Sequence, residues 1–173
     1  MKRIAKFYKV SLEQFESDIN NMFGEPFPGD VNQVYESIEL PTRATKGSAG
    51  YDFKAPFGFS LAPGETIKIP TGVRVNISDS WVLECFPRSS LGFKYRCQLD
   101  NSVGIIDADY YHSKNEGHII LKLTNDSKSG SIMSIEAGAG IAQGIFHEFG
   151  ITVDDNVTEE RDGGFGSTDK KGV

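Results

Sequence analysis

The chain predicts an all-β domain with a short helical stretch ahead of it, and two observations carry that prediction. From residue 34 onward, short runs rich in β-branched and aromatic residues alternate with clusters of Gly, Pro, Asn, Asp and Ser. Helical spacing of apolar positions is confined to the stretch before them. The β-rich runs fall at residues 34–40, 51–55, 57–61, 65–70, 73–77, 81–86 and 119–124, a spacing that suggests a sandwich or barrel.

In order along the chain, Ser11 and Gln14 have the form of a capping box, and Leu12, Phe15, Ile19, Met22 and Phe23 recur at the spacing of one amphipathic helix. Gly24-Glu25-Pro26-Phe27-Pro28-Gly29-Asp30 breaks the pattern and reads as a loop leading into the β region. Ala62-Pro63-Gly64-Glu65, Ser78-Asp79-Ser80 and Asn125-Asp126-Ser127-Lys128-Ser129-Gly130 supply turns between candidate strands. The expected organisation is a helical extension over residues 1–33 and a β domain over residues 34–173, with residues 158–173 as a mobile tail.

A chain of 173 residues can bury a sizeable core, and no stretch approaches the roughly 20 apolar residues of a membrane span. The opening residues are positively charged but lack an apolar run or a small-residue cleavage site, which reads as a cytoplasmic protein without a secretory signal. Cys85 and Cys97 have no matching Cys or His cluster, so they read as reduced, buried small hydrophobes. His112, His118 and His147 show no ligand spacing and read as surface or core-edge histidines, and Trp81 reads as core. A net charge of −6 disfavours a general nucleic-acid surface; a polyanionic small ligand would need local arginines or a metal cation.

Three segments concentrate chemistry. Arg161-Asp162-Gly163-Gly164-Phe165-Gly166-Ser167-Thr168 combines a guanidinium, hydroxyls and glycines that let backbone N–H groups converge on an anion, beside a ring able to stack on a base. Phe86-Pro87-Arg88-Ser89-Ser90-Leu91-Gly92 has the same anion-binding composition directly after an apolar strand. In Gly104-Ile105-Ile106-Asp107-Ala108-Asp109-Tyr110-Tyr111, strand alternation would set Asp107 and Asp109 on one side, with Asp107 able to activate a water while the backbone holds a planar ring. A loose terminus, a capped turn and a solvated hairpin are the alternative accounts of the three segments taken singly. Gly47-Ser48-Ala49-Gly50-Tyr51-Asp52-Phe53 and Gly140-Ile141-Ala142-Gln143 say little as fragments.

The order of these segments is more telling. Residues 41–52, then 87–92, then Asn101 through Tyr110, then 140–143, then Arg161 through Thr168 resemble the five ordered motifs of the trimeric dUTP diphosphatase (dUTPase) family, a match running from about Val34 to Thr168. The resemblance implies a distorted jelly-roll barrel and a homotrimer with shared active sites. It implies hydrolysis of dUTP to dUMP and pyrophosphate, which limits uracil in DNA and supplies dUMP for thymidylate synthesis. Carried over by position, Asp107 is the general base for water attack on the α-phosphorus. Asn101, Gly104 and the hairpin backbone at Ile106 read uracil, and Tyr110 packs on the deoxyribose and excludes a 2′-hydroxyl. Arg88, Ser89, Ser90 and Gln143 hold the α and β phosphates. Arg161, Gly166, Ser167 and Thr168 hold the γ-phosphate while Phe165 stacks on uracil. Mg²⁺ bridges the phosphates, with Asp52 an outer-shell partner through water. No membrane or nucleic-acid partner is implied.

Some positions depart from the family pattern. Gly140 stands where a basic residue is usual and Ala139 where an acidic one is often found, so a supporting ion pair is expected to be absent; Asp169 stands where glycine is common. A deaminase of the same fold would carry a glutamate in the strand that here holds Lys122. A partner-binding protein docking through the N-terminal helix and a ligand-free structural β-domain are the other rivals, and the latter leaves the five ordered motifs unexplained.

Overall fold

Strand β1 (Ala5–Lys9) opens the computed structural model, which describes residues 1–24 and 26–159. Helix α1 (Leu12–Phe23) follows, capped by Ser11, whose Oγ accepts from the Gln14 N–H at 3.1 Å. The reciprocal half of the expected capping box is replaced. The Gln14 amide turns to Asp18, and the Ser11 N–H donates instead to Glu116, across the fold. Phe15 and Ile19 project from α1 at helical spacing and are fully buried in the main core.

The β run expected over residues 34–40 is a correction. Residues there form helix α2 (Val31–Ser37) followed by extended chain, because Asp30 caps the first turn by accepting from the Gln33 N–H at 3.1 Å. Tyr35 then fixes the helix by donating its hydroxyl to the Val10 carbonyl at 2.6 Å and setting its ring 5.8 Å from that of Phe15.

The remaining strands are β2 (Thr42–Arg43), β3 (Tyr51–Lys54), β4 (Phe59–Leu61), β5 (Thr66–Pro70), β6 (Val73–Ile77), β7 (Trp81–Pro87), β8 (Gln98–Leu99), β9 (Gly104–Ile106), β10 (Ile120–Thr124), β11 (Met133–Ile135) and β12 (Gly140–Glu148). A seven-residue helix, α3 (Ser89–Tyr95), leaves the end of β7. Every strand pair is antiparallel, as a jelly-roll-like β fold requires. The largest sheet runs β2-β3-β12-β7-β9, with β5-β10-β8, β1-β6 and β4-β11 as smaller pieces.

Side-chain alternation explains which faces close on the core. Val73, Val75 and Ile77 of β6, Leu121 and Leu123 of β10, and Met133 and Ile135 of β11 are buried, while the intervening Asn76, Lys122 and Ser134 face outward. At about 1.5–3 kcal/mol for each fully buried large apolar side chain, this face is the main stabilising term. Strand β1 escapes a sequence reading because its anchor is non-local. Phe7 packs its ring within 5.4–5.9 Å of Tyr51, Phe53 and Phe146, while the strand backbone pairs with β6. Cys85 and Cys97 are buried and unpaired as expected, and burial pushes their thiols up to about 12 and about 11.

Candidate functional site

Strand β9 forms the outer edge of the five-stranded sheet, hydrogen-bonded on one side to β7 with Gly104 opposite Cys85 and Ile106 opposite Leu83. Beside it lies a cavity of about 230 Å³ lined by Asn101, Gly104, Ile105, Ile106 and Tyr110 together with Cys85, Leu99 and residues 120–122 of β10. An edge strand presents backbone donors and acceptors with no neighbouring strand to take them, which suits recognition of a flat polar ring. Four residues expected to read a nucleoside, Asn101, Gly104, Ile106 and Tyr110, therefore share one cavity.

Tyr110 is set into this wall by its own hydrogen bonds. The ring is buried, the hydroxyl donates to the His118 carbonyl at 2.9 Å, and the Asn115 amide donates to the hydroxyl at 2.8 Å. With its polar end engaged inside the protein, the ring can offer a bulky apolar surface to the cavity.

The expected common side for Asp107 and Asp109 is corrected. Strand β9 ends at Ile106, and a 3₁₀ turn over Ala108–His112 begins directly after Asp107, so strand alternation does not extend through Asp109. Asp107 occupies the N-cap position in an extended conformation and is half-buried, whereas Asp109 is exposed. The turn thus separates the two carboxylates into different environments and leaves Asp107 adjoining the cavity-lining Ile106.

A second cluster assembles at the C-terminal end of β7. The loop before β3 is folded by Arg43, whose Nη1 donates to the carbonyls of Lys46 and Ser48 at 3.0 and 2.9 Å, and it delivers Asp52 into the sheet. Arg88 leaves β7 and sets its Nε 3.5 Å from Asp52 Oδ1. Gln143 of β12 lies opposite Asp52 on one side and Phe86 on the other, and its Nε2 reaches toward the Pro87 carbonyl at 3.5 Å. Ser89 and Ser90 are exposed in the first turn of α3. Guanidinium and amide donors therefore lie together in one partly exposed patch, beside the helix turn that carries the two serines.

Gly140 has a definite role in this patch. A Cβ built there would collide with Arg88 Nη1 and lie 2.9 Å from Cζ, so the guanidinium crosses directly over the glycine backbone. The space a basic side chain would start from is filled by Arg88, and Arg88 with Asp52 forms an ion pair in the patch. None of Asp52, Arg88, Ser89, Ser90 or Gln143 lines the cavity beside β9. Arg161, Phe165, Gly166, Ser167 and Thr168 lie outside the described residues.

The sequence reading missed several participants. Cys85 and Lys122 line the cavity, and Lys122 Nζ is fixed by Asp100 Oδ2 at 2.6 Å. Burial works against ionisation of Asp100, but hydrogen bonds from Lys122 and Thr124 outweigh it and hold the carboxyl below its ordinary range. His118 is fully buried and not at the surface or core edge, with Nδ1 2.6 Å from Asp18 Oδ2 and Nε2 accepting the Gly72 N–H at 2.7 Å. Among the described residues no three His, Cys, Asp or Glu side chains gather as a cation cage. Asp52, engaged with Arg88, can meet a hydrated cation only as one carboxylate among waters and ligand oxygens, the mode by which Mg²⁺ binds with a polyphosphate.

A family model described as dUTPase matches residues 36–169. The deoxyuridine 5'-triphosphate nucleotidohydrolase of Lactococcus lactis subsp. lactis (strain IL1403) is 42% identical over 134 residues, covering 76% of this chain and 88% of that protein. The protein of the same name from Escherichia coli (strain K12 / DH10B) is 37% identical over 147 residues, covering 80% and 93%. The crystal structure of dUTPase from Streptococcus mutans superposes with a TM-score of 0.59 at 38% identity, covering 67% of this chain and 89% of that one. The dUTPase of phage phi11 of S. aureus, at 20% identity, shares the fold with a TM-score of 0.62 over 91% of this chain and 97% of its own.

Proposed function

This chain belongs to the dUTPase family, and on that ground we propose that it hydrolyses dUTP to dUMP and pyrophosphate by attack of water on the α-phosphorus. The observation that carries the reading is the cavity beside the β9 edge, walled by buried Tyr110 and adjoining Asp107. Uracil enters that cavity and pairs its edge with the β9 backbone and Asn101. Tyr110 packs on the deoxyribose, where a 2′-hydroxyl would find neither room nor a partner. Asp107 takes the proton of the attacking water as its oxygen bonds to the α-phosphorus and the bridge to the β-phosphorus breaks.

Arg88, Ser89, Ser90 and Gln143 hold the α and β phosphates, and Arg161, Gly166, Ser167 and Thr168 hold the γ-phosphate with Phe165 stacked on uracil. Phosphoryl transfer depends chiefly on positioning and charge neutralisation, which such a donor set supplies. Asp52 would hold a hydrated Mg²⁺ through water, and the cation would supply charge neutralisation to the triphosphate. Lys122 occupies the strand in which a deaminase of this fold would carry a glutamate, which favours hydrolysis over deamination.

The residues of the Arg88 patch do not line the cavity of their own copy, which supports a complete site built between copies of a homotrimer. The catalytic unit is residues 34–173, with residues 158–173 closing over bound nucleotide and residues 1–33 as an extension. Among the described residues no helix is long and apolar enough to cross a membrane, in keeping with a cytoplasmic enzyme of nucleotide metabolism. The test is pyrophosphate release from dUTP with Mg²⁺ beside dCTP, dTTP and UTP. Turnover of dUTP alone supports the reading, and comparable turnover of dCTP or UTP overturns the assigned selectivity.

A further inference from the structure

The loop that carries Tyr110 is held from outside the family-matched residues. The Ser11 backbone N–H and Oγ both donate to the Glu116 carboxylate, at 2.8 and 2.6 Å. Asp18 Oδ2 accepts from His118 Nδ1 at 2.6 Å, while His118 Nε2 accepts the Gly72 N–H, so Nδ1 is the ring nitrogen that donates to Asp18. Tyr8 adds a ring contact of 5.9 Å to Tyr111. All three N-terminal residues precede residue 36, where the family match begins.

These contacts converge on Tyr110. The His118 carbonyl accepts the Tyr110 hydroxyl, and Asn115 donates to the same hydroxyl. Between them the chain doubles back through Glu116 and Gly117, at φ 58° and 69°, so tightly that a Cβ on Gly117 would lie 2.6 Å from the Tyr110 carbonyl. A glutamate in the left-handed region is disfavoured on its own, and the two bonds from Ser11 hold it there.

Resting on the reading of Tyr110 as the sugar-facing wall, we propose that Ser11 and Asp18 are positioning residues for the nucleotide cavity: by fixing Glu116 and His118 they set where Tyr110 stands, and with it the exclusion of a 2′-hydroxyl. The N-terminal segment thereby acts on selectivity without touching the substrate.

The experiment measures kcat and KM for dUTP and UTP in Asp18→Ala, Ser11→Ala and Asp18→Asn, with hydrogen exchange of residues 108–118. Ile19→Val, a core change in the same helix, is the control. Asp18→Ala is expected to raise the KM for dUTP by about 3- to 10-fold with kcat within about twofold, and to lower the dUTP/UTP ratio of kcat/KM by a similar factor. Exchange across residues 108–118 rises, Asp18→Asn recovers most of the ratio through its remaining acceptor, and Ile19→Val leaves the ratio in place. Ser11→Ala, which keeps the backbone bond, gives a smaller change in the same direction and serves if Asp18→Ala fails to fold. An unchanged ratio in folded Asp18→Ala overturns the proposal, as does an equal loss in Ile19→Val. Wild-type protein that hydrolyses no nucleotide would indict the dUTPase reading instead; the exchange measurement then stands alone, and unaltered exchange in Asp18→Ala overturns the latch itself.

Discussion

Gly140→Ala isolates the consequence of letting Arg88 cross the sheet. The added methyl meets Nη1 in collision and Cζ at 2.9 Å, and the flexible guanidinium is the part that must yield. Its ion pair with Asp52 is half-exposed at 38% and 25% and spans 3.5 Å, so losing it costs only about 0.2–1 kcal/mol after solvent screening. Replacing glycine by alanine at a compatible backbone returns about 0.4–1 kcal/mol through the unfolded chain, so stability is expected to stay nearly constant. The proposed phosphate contacts behave differently: charge-assisted hydrogen bonds are worth about 1.5–3 kcal/mol, and misdirecting Arg88 should lower kcat/KM by about 10- to 100-fold. Steady-state pyrophosphate release and thermal unfolding at one protein concentration measure the two effects. A kcat/KM within about twofold of wild type would refute the placement of Arg88 on the phosphates.

Asp107→Asn keeps the shape of the N-cap residue and removes the proposed base, so kcat should fall by about 10²- to 10⁴-fold with KM little changed, and near-normal kcat would remove Asp107 from the mechanism. Tyr110→Phe deletes a buried hydroxyl bonded to His118 and Asn115. It should cost about 1–3 kcal/mol, and calorimetry should show a midpoint lowered by about 2–4 °C per kcal/mol. Burial opposes ionisation of Asp18 and Glu116, but the hydrogen bonds from His118 and Gln14 to one and from Ser11 to the other, joined by Arg74, hold both below their ordinary values of 3.8 and 4.5. Their stabilisation is present above the ordinary values and is lost as pH falls through the lower folded ones, so Asp18→Asn should flatten the acid limb of a stability-against-pH curve; an unaltered limb would contradict this. Native Cys85 and Cys97 should react slowly with thiol reagents near neutral pH and promptly after unfolding, and fast native labelling would contradict their burial.

The elements legible in the sequence were those fixed by local pattern. Strands β3, β5, β6 and β10 carry their own alternation, β7 is a near-continuous apolar run, and Ser11 with Gln14 marks the start of α1. Helix α2 was masked because Val34, Ile38 and Leu40 mimic a strand, although Asp30 and Gln33 already had the spacing of a cap. Strand β12 is thinned by Gly140, Ala142 and Gly144, and its two glycines admit Arg88 and Leu83 at close approach. At the site, residue types were legible and their connections were not. Asp52 and Arg88 were foreseen, but their pairing over Gly140 depends on β3 and β7 flanking β12 in the sheet. Asp18 and His118 are separated by 100 positions, so no local signal could join them.

The account stands most directly on which bond of dUTP is broken. Hydrolysis in ¹⁸O-labelled water with Mg²⁺, read by mass spectrometry, should place the label in dUMP and leave pyrophosphate unlabelled, as the proposed attack of water on the α-phosphorus requires. Label in pyrophosphate, or release of inorganic phosphate in its place, would contradict the mechanism assigned to Asp107 and the cavity beside it.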